Sequence, residues 1–151
     1  MILKAFLDGI AYSATTGAQT SGGAVVTGLS IFNPATSGKT CLFLSARGSD
    51  ATGGGGHQLR LTTTDPALAN ALTPVSANAL GAITSVANAT YLNAATTASG
   101  TLYDNMQQSG NGNYEYLGGN LYIVCPPGSG ILLIVNTSTN AWFASAKWME
   151  F

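Results

Sequence analysis

The sequence predicts an all-β domain, and three observations carry that reading. First, Asn120 to Phe151 (NLYIVCPPGSGILLIVNTSTNAWFASAKWMEF) holds the apolar runs Leu121–Cys125, Ile131–Val135 and Ala141–Phe151. Two five-residue breakers separate them, Pro126-Pro127-Gly128-Ser129-Gly130 and Asn136-Thr137-Ser138-Thr139-Asn140. β-branched and aromatic runs bounded by Gly, Pro, Asn and Ser are the strand signature, and gaps of this length suit hairpins. Second, the last run alternates. Trp142, Ala144, Ala146, Trp148 and Glu150 share one face, and Phe143, Ser145, Lys147, Met149 and Phe151 the other. Large apolar groups on both faces place this strand inside a sandwich or under a neighbouring chain. Third, a hydrophobic content of 46% is too high for a disordered chain.

At 151 residues the chain reads as a single domain, residues 1–151, able to bury ~70% of its unfolded surface. Only 7% of residues are charged, against roughly 25% in ordinary soluble proteins. The five basic and six acidic residues are scattered, so no basic stripe is available to neutralise phosphates and no polybasic patch to meet an anionic membrane. Nucleic acid and membrane are therefore not expected partners. A net charge of −1 leaves little to repel a second copy, which favours hiding surface in an assembly. At the N-terminus Asp8 interrupts the apolar run before it reaches the ~7–15 residues of a secretory core, and no run approaches the ~20 of a membrane span. Synthesis in a cytoplasm is the expectation.

In chain order, residues 1–20 read as an N-terminal arm or short helix. Ile2, Leu3, Phe6, Leu7, Ile10 and Tyr12 fit a helix face that Gly9 keeps short, or the anchors of an extended arm. The arm packs on its own core or clasps a neighbouring subunit. Ser13–Gly23 is a small-residue linker. Ala24–Phe32 and Thr40–Ala46 read as strands, joined by Asn33–Gly38 as an open loop or a crossing between sheets. The run Gly53-Gly54-Gly55-Gly56 lacks the Lys-Ser/Thr of a phosphate loop and reads as a connection, with His57 as a surface side chain. Leu59–Thr62 alternates like a strand.

The middle section, residues 48–119, reads as loop-rich. Asp65-Pro66 opens a helical turn through Leu72 that Pro74 stops, and short strands are expected at Ala82–Val86 and Thr90–Asn93. Thr101–Gly119 reads as a loop in which Tyr103, Tyr114 and Tyr116 cover the core edge. Tyrosines among small polar residues also make contact surfaces and sugar-stacking platforms. The two cysteines, Cys41 and Cys125, each beside a turn, read as buried reduced thiols, with a disulfide as the alternative.

Catalytic chemistry is not visible. The acidic pairs Asp104/Glu115 and Asp50/Asp65 have no pattern tying them to a pocket, and no Gly-x-Ser-x-Gly elbow occurs. Two Cys and one distant His do not complete a metal shell. No enzyme activity, cofactor or metal is expected.

Ile31–Lys39 (IFNPATSGK) with the strand TCLFLSA behind it resembles a family of small virion proteins of tailed bacteriophages. The likeness continues at Pro126–Gly130 (PPGSG) with ILLIVN, and in the ending Lys147-Trp148-Met149-Glu150; it covers roughly residues 24–47 and 120–151. It implies an antiparallel, jelly-roll-like β-sandwich acting as a head decoration, or cement, protein. Such a protein is a homotrimer on the outer capsid surface that binds the major capsid protein and stabilises contacts between its subunits. Ile2, Leu3, Phe6, Leu7, Tyr103, Tyr114, Tyr116 and Phe151 are then the candidate partner interface. The alternatives are a tail, head-fibre or receptor-binding module, or a free carbohydrate-binding sandwich.

Overall fold

A computed structural model describes residues 4, 8, 10–20, 25–50, 56–78, 83–92, 94–95, 99–107, 112–117, 121–136 and 141–151, with backbone alone at 106, 107 and 112–114. The strands are β1 (Ala11–Thr15), β2 (Gln19–Thr20), β3 (Val25–Asn33), β4 (Cys41–Asp50), β5 (Gly56–Thr62), β6 (Asn70–Leu72), β7 (Val75–Ser76), β8 (Asn88–Tyr91), β9 (Thr101–Gln107), β10 (Gly112–Leu117), β11 (Ile123–Cys125), β12 (Ser129–Asn136) and β13 (Ala141–Glu150). One sheet has seven strands, in the order β10-β4-β13-β1-β7, with β11 also on β4 and β2 also on β13. The other has six, in the order β6-β8-β3-β12-β5-β9. Every pairing is antiparallel. Among the described residues only Lys4 is helical, with the Asp8 N–H donating to its C=O at 2.8 Å; the elements from Ala11 onward are all strands.

The pairing is nested. Of the eight principal strands, β1 pairs β13, β3 pairs β12, β4 pairs β10 and β5 pairs β9: first with last, second with seventh, third with sixth, fourth with fifth. A long hairpin folded over itself into two sheets gives this order, which is the jelly roll. The expected antiparallel, jelly-roll-like sandwich is therefore the fold. Strands consecutive in sequence often lie in opposite sheets. The Asn33–Gly38 connection is a crossing between sheets, one of its two expected readings. The hairpins expected in the C-terminal tail do not form: β11 and β13 belong to one sheet and β12 to the other. Pro126–Gly128 carries the chain across, with Gly128 at φ 81° donating its N–H to Asn33 C=O at 2.8 Å.

The core fills the space between the sheets. Phe43, Trp142 and Trp148 from the first meet Leu29, Ile31, Leu59, Ile131 and Leu133 from the second. At Gly28 a Cβ would lie 2.6 Å from Val135 Cγ2 on the neighbouring strand and 3.0 Å from Trp142 Cζ3 in the facing sheet. The β4–β13 register slips once: Ser45 faces Lys147 and Phe43 faces Trp148, so Leu44 is extra. This bulge reverses the parity of β4, so that Cys41 and Phe43 point inward before it and Ala46 after it. A second, small apolar cluster, Ala11 and Met149 with Ile10, Leu42 and Leu44 against them, sits outside the main core.

Several expectations are corrected. No helix follows Asp65. Its carboxylate accepts the Ala67 N–H at 2.9 Å in a local turn, and Ala67 takes φ 44°, a left-handed conformation a helix cannot include. Ser13–Gly23 is not simply linker, since the end of β1 and the whole of β2 fall within it. Thr101–Gly119 carries β9 and β10, and residues 48–119 hold β5 to β10. Residues 83–86 are not a strand, whereas Asn88–Tyr91 are. On the terminal strand Trp142, Ala144, Ala146, Trp148 and Glu150 are buried, but of the opposite face only Met149 is, with Phe143 and Phe151 exposed.

Candidate interaction face and cleft

β9 is the outer strand of its sheet, and β10 and β11 line the corresponding side of the other. Between them opens a cleft of about 800 Å³. One wall is the end of β5 and the start of β9, presenting the hydroxyls of Thr62, Thr63 and Thr101. The other is the β11–β12 crossing, with Val124, Pro126 and Ser129. Two glycines let the backbone within the six-stranded sheet pack closely at the cleft. A Cβ at Gly100, where φ is 75°, would fall 2.5 Å from Leu61 O, and one at Gly130 would fall 2.4 Å from Ile31 O.

The wall hydroxyls are oriented by their own backbone. Thr62 Oγ1 donates to Thr64 C=O at 2.8 Å and accepts the Thr64 N–H at 3.1 Å, and Ser129 Oγ donates to Pro126 C=O at 2.7 Å. Arg60 Nη1 donates to Gly100 C=O at 3.0 Å and ties the two strands of that wall together. Among the described residues lining the cleft, the titratable side chain is Cys125, whose thiol burial pushes up to about 11. Such a surface can hydrogen-bond and desolvate a ligand, but it offers no acid or base near neutral pH. Among the described residues no group of three His, Cys, Asp or Glu is placed to hold a metal ion.

Large apolar side chains flank this cleft. Leu102 and Tyr103 on β9 are each 48% exposed, and Leu121, Tyr122 and Val124 at β11 are 59%, 45% and 62% exposed. Val124 sits opposite Leu42, between the inward Ile123 and Cys125, so this short strand is apolar on both faces. Large exposed apolar side chains, where they gather, mark contact surfaces.

Of the sequence candidates, Tyr103 lies on this side and is accessible, and Phe151 is 47% exposed at the chain end. The Phe151 backbone is not loose: its N–H and C=O each bond Thr40 at 3.0 Å. Tyr116 is corrected. It is 4% exposed and packs in the core at the register shift between Glu115 and Leu117, where Tyr116 and Leu117 are both buried, so it presents no ring to a partner. The Tyr114 side chain and residues Ile2, Leu3, Phe6 and Leu7 lie outside the described residues. Leu102, Leu121, Tyr122 and Val124 escaped the sequence reading. The available signal was an edge segment with apolar residues at consecutive positions.

His57 is also corrected. It is 1% exposed on β5 opposite Val135, and burial lowers its imidazole to about 4. The acidic pairs do not assemble either. Glu115 is held by Arg47 at 2.8 Å, whereas Asp104 caps the Asn105 N–H at 2.8 Å on the other sheet. Asp50 is buried at the end of β4, and Asp65 accepts from Asn88 Nδ2 at 2.9 Å. Cys41 and Cys125 are buried free thiols, as expected. No helix among the described residues is long and apolar enough to cross a membrane.

Comparison of the chain with protein-family models, with curated proteins and with solved structures finds no match. The functional reading therefore rests on the fold and on this face.

Proposed function

We propose that the protein is a structural virion subunit of the decoration type. It binds the outer surface of a tailed-phage head as a homotrimer and bridges neighbouring major capsid subunits. One observation carries this reading: Leu102, Tyr103, Leu121, Tyr122 and Val124 are exposed along one side of a domain with only 7% charged residues. An isolated monomer gains nothing from that arrangement, while a subunit held in a lattice buries it. Standard interfaces bury about 1,600 Å², and repetition over many copies multiplies a modest contact into strong retention against internal pressure. The jelly roll is compatible with this role, being common among capsid and lectin domains. The cleft lining is suited to binding, since among the described residues its titratable group is a thiol.

The test is reconstitution. Purified protein should trimerise, and it should add to capsids lacking it at hundreds of copies per particle, raising their resistance to heat. Protein that neither trimerises nor binds such capsids would sink the proposal. A second reading is favoured by the position of Tyr103 and Tyr122 near a hydroxyl-lined cleft, an arrangement suited to stacking on and hydrogen-bonding a sugar. A receptor-binding fibre module would be present in few copies per particle and would bind glycans as isolated protein.

A further inference from the structure

Cys41 and Cys125 are exact register partners on β4 and β11. Directly opposed residues of antiparallel strands hold their Cα atoms about 4.5–5.5 Å apart, inside the ~4.4–6.8 Å range that a disulfide spans. Both side chains leave the sheet on the same side, because both belong to the one core cluster with Phe43 and Ile123. Neither is oxidised. Cys125 lines the cleft beside Ser129, whereas Cys41 is 0% exposed and does not line it. The pair thus has one thiol at the end of an entry route and a second placed behind it.

We propose that this pair is a thiol-modification site. A small disulfide entering the cleft is reduced there and leaves an intramolecular Cys41–Cys125 bond that staples β11 to β4. The Cys125 thiol gives its proton to solvent, and the thiolate attacks one sulfur of the reagent, expelling the first small thiolate. The Cys41 thiolate then attacks the Cys125 sulfur and expels the second. Two protein thiols lose two electrons and two protons, and the small disulfide becomes two thiols. Burial pushes Cys125 to about 11 and Cys41 to about 12, so the exchange is slow at neutral pH and the product is a long-lived latch. Its structural effect falls on a three-residue strand that carries Val124 and follows the exposed Leu121 and Tyr122, so the bond fixes one wall of the cleft and its apolar rim. The inference stands apart from the virion reading.

The experiment is to incubate the folded protein with oxidised glutathione across mildly alkaline pH, then denature it, titrate thiols and map peptides without reduction. The expected result is loss of both thiols, a monomeric product lighter by two hydrogens, and a linked Cys41–Cys125 peptide. The rate should rise about tenfold per pH unit. The product should melt several degrees higher, reversibly with dithiothreitol, as closure of a long loop predicts. In Cys41→Ser a glutathione adduct should accumulate on Cys125, and Cys125→Ser should leave Cys41 unmodified. Two thiols still titrating after prolonged exposure, a stable glutathione adduct on the native chain, or links only between chains would overturn the proposal. Modification of Cys41 in Cys125→Ser at the native rate would overturn the entry route.

Discussion

The Glu150 carboxylate accepts the indole N–H of Trp148 at 3.0 Å, from two positions along the same strand. Both side chains point inward from β13, and Glu150 is 1% exposed. The same carboxylate also takes the Ser85 hydroxyl and the Val86 N–H, the latter at 3.1 Å. It therefore fastens the segment before β8 onto the last strand. A buried acid is tolerated here because four donors surround it, counting the longer Ala87 N–H contact at 3.4 Å.

Removing that acceptor leaves several buried donors without a partner. Glu150→Ala should cost about 3 kcal/mol, at roughly 1–3 kcal/mol per orphaned group with partial relaxation. Glu150→Gln keeps an acceptor oxygen and should cost about half as much. Urea unfolding of both variants measures this; equal midpoints for Glu150→Ala and the native chain would show that the clamp contributes nothing.

Trp148 is fully buried between Tyr12, at a ring-centroid distance of 5.9 Å, and Phe43, at 6.1 Å. Trp148→Ala should destabilise the domain by about 3–5 kcal/mol. Tyr12 is itself 4% exposed, and Ala11 and Tyr12 pair with β13. A deletion of residues 1–12 therefore removes core and sheet together and should lower the melting temperature. Only a cut ending before Ile10 tests a role in attachment.

Gly130 and Gly38 should respond differently to alanine. At Gly130 a Cβ meets backbone, 2.4 Å from Ile31 O and 2.8 Å from Phe32 Cα, and neither atom can move without parting β3 from β12. Gly130→Ala should cost about 3 kcal/mol or more, in the manner of an overpacked core. Gly38 has φ 64° and nothing within 4 Å of its would-be Cβ, so Gly38→Ala should cost only about 1 kcal/mol of backbone strain. Chemical denaturation of the two variants side by side decides it.

Stability should hold a plateau between about pH 6.5 and 9 and fall on both sides. The His57 imidazole is lowered by burial from 6.5 to about 4, so on acidification the unfolded chain takes up its proton first. This contribution is complete above pH 6.5 and is lost as pH falls toward 4, on the order of 3 kcal/mol in all. The Cys41 and Cys125 thiols move the other way, from 9.0 to about 12 and about 11. The unfolded chain therefore ionises first as pH rises past 9, and each thiol removes about 1.4 kcal/mol per further pH unit until its folded value is reached. Denaturation midpoints against pH should show both limbs. His57→Gln should flatten the acid limb, and an unchanged limb would assign it to other groups.

The all-β class was determined by the sequence alone, since alternation along β13 and the Pro, Gly and Asn breakers are local properties of the chain. The same local patterning placed β3, β4, β5 and β12 within a few residues. What only the tertiary structure decided was which strands pair. The breakers around Pro126–Gly130 permit a hairpin as readily as a crossing, and the choice is made by burial, because β12 completes the opposite sheet against β3 and β5. Tyr116 and His57 show the same limit, since each sits in a polar or glycine-rich context that reads as surface. Their burial comes from strands far away in sequence, β4 beside Tyr116 and β12 beside His57. The cleft was invisible for the same reason: Thr62, Thr101 and Ser129 belong to three separate strands. Cys41 and Cys125, read only as two buried thiols, become register partners through the β4–β11 pairing. Periodicity is written residue by residue, whereas proximity is a property of the folded chain.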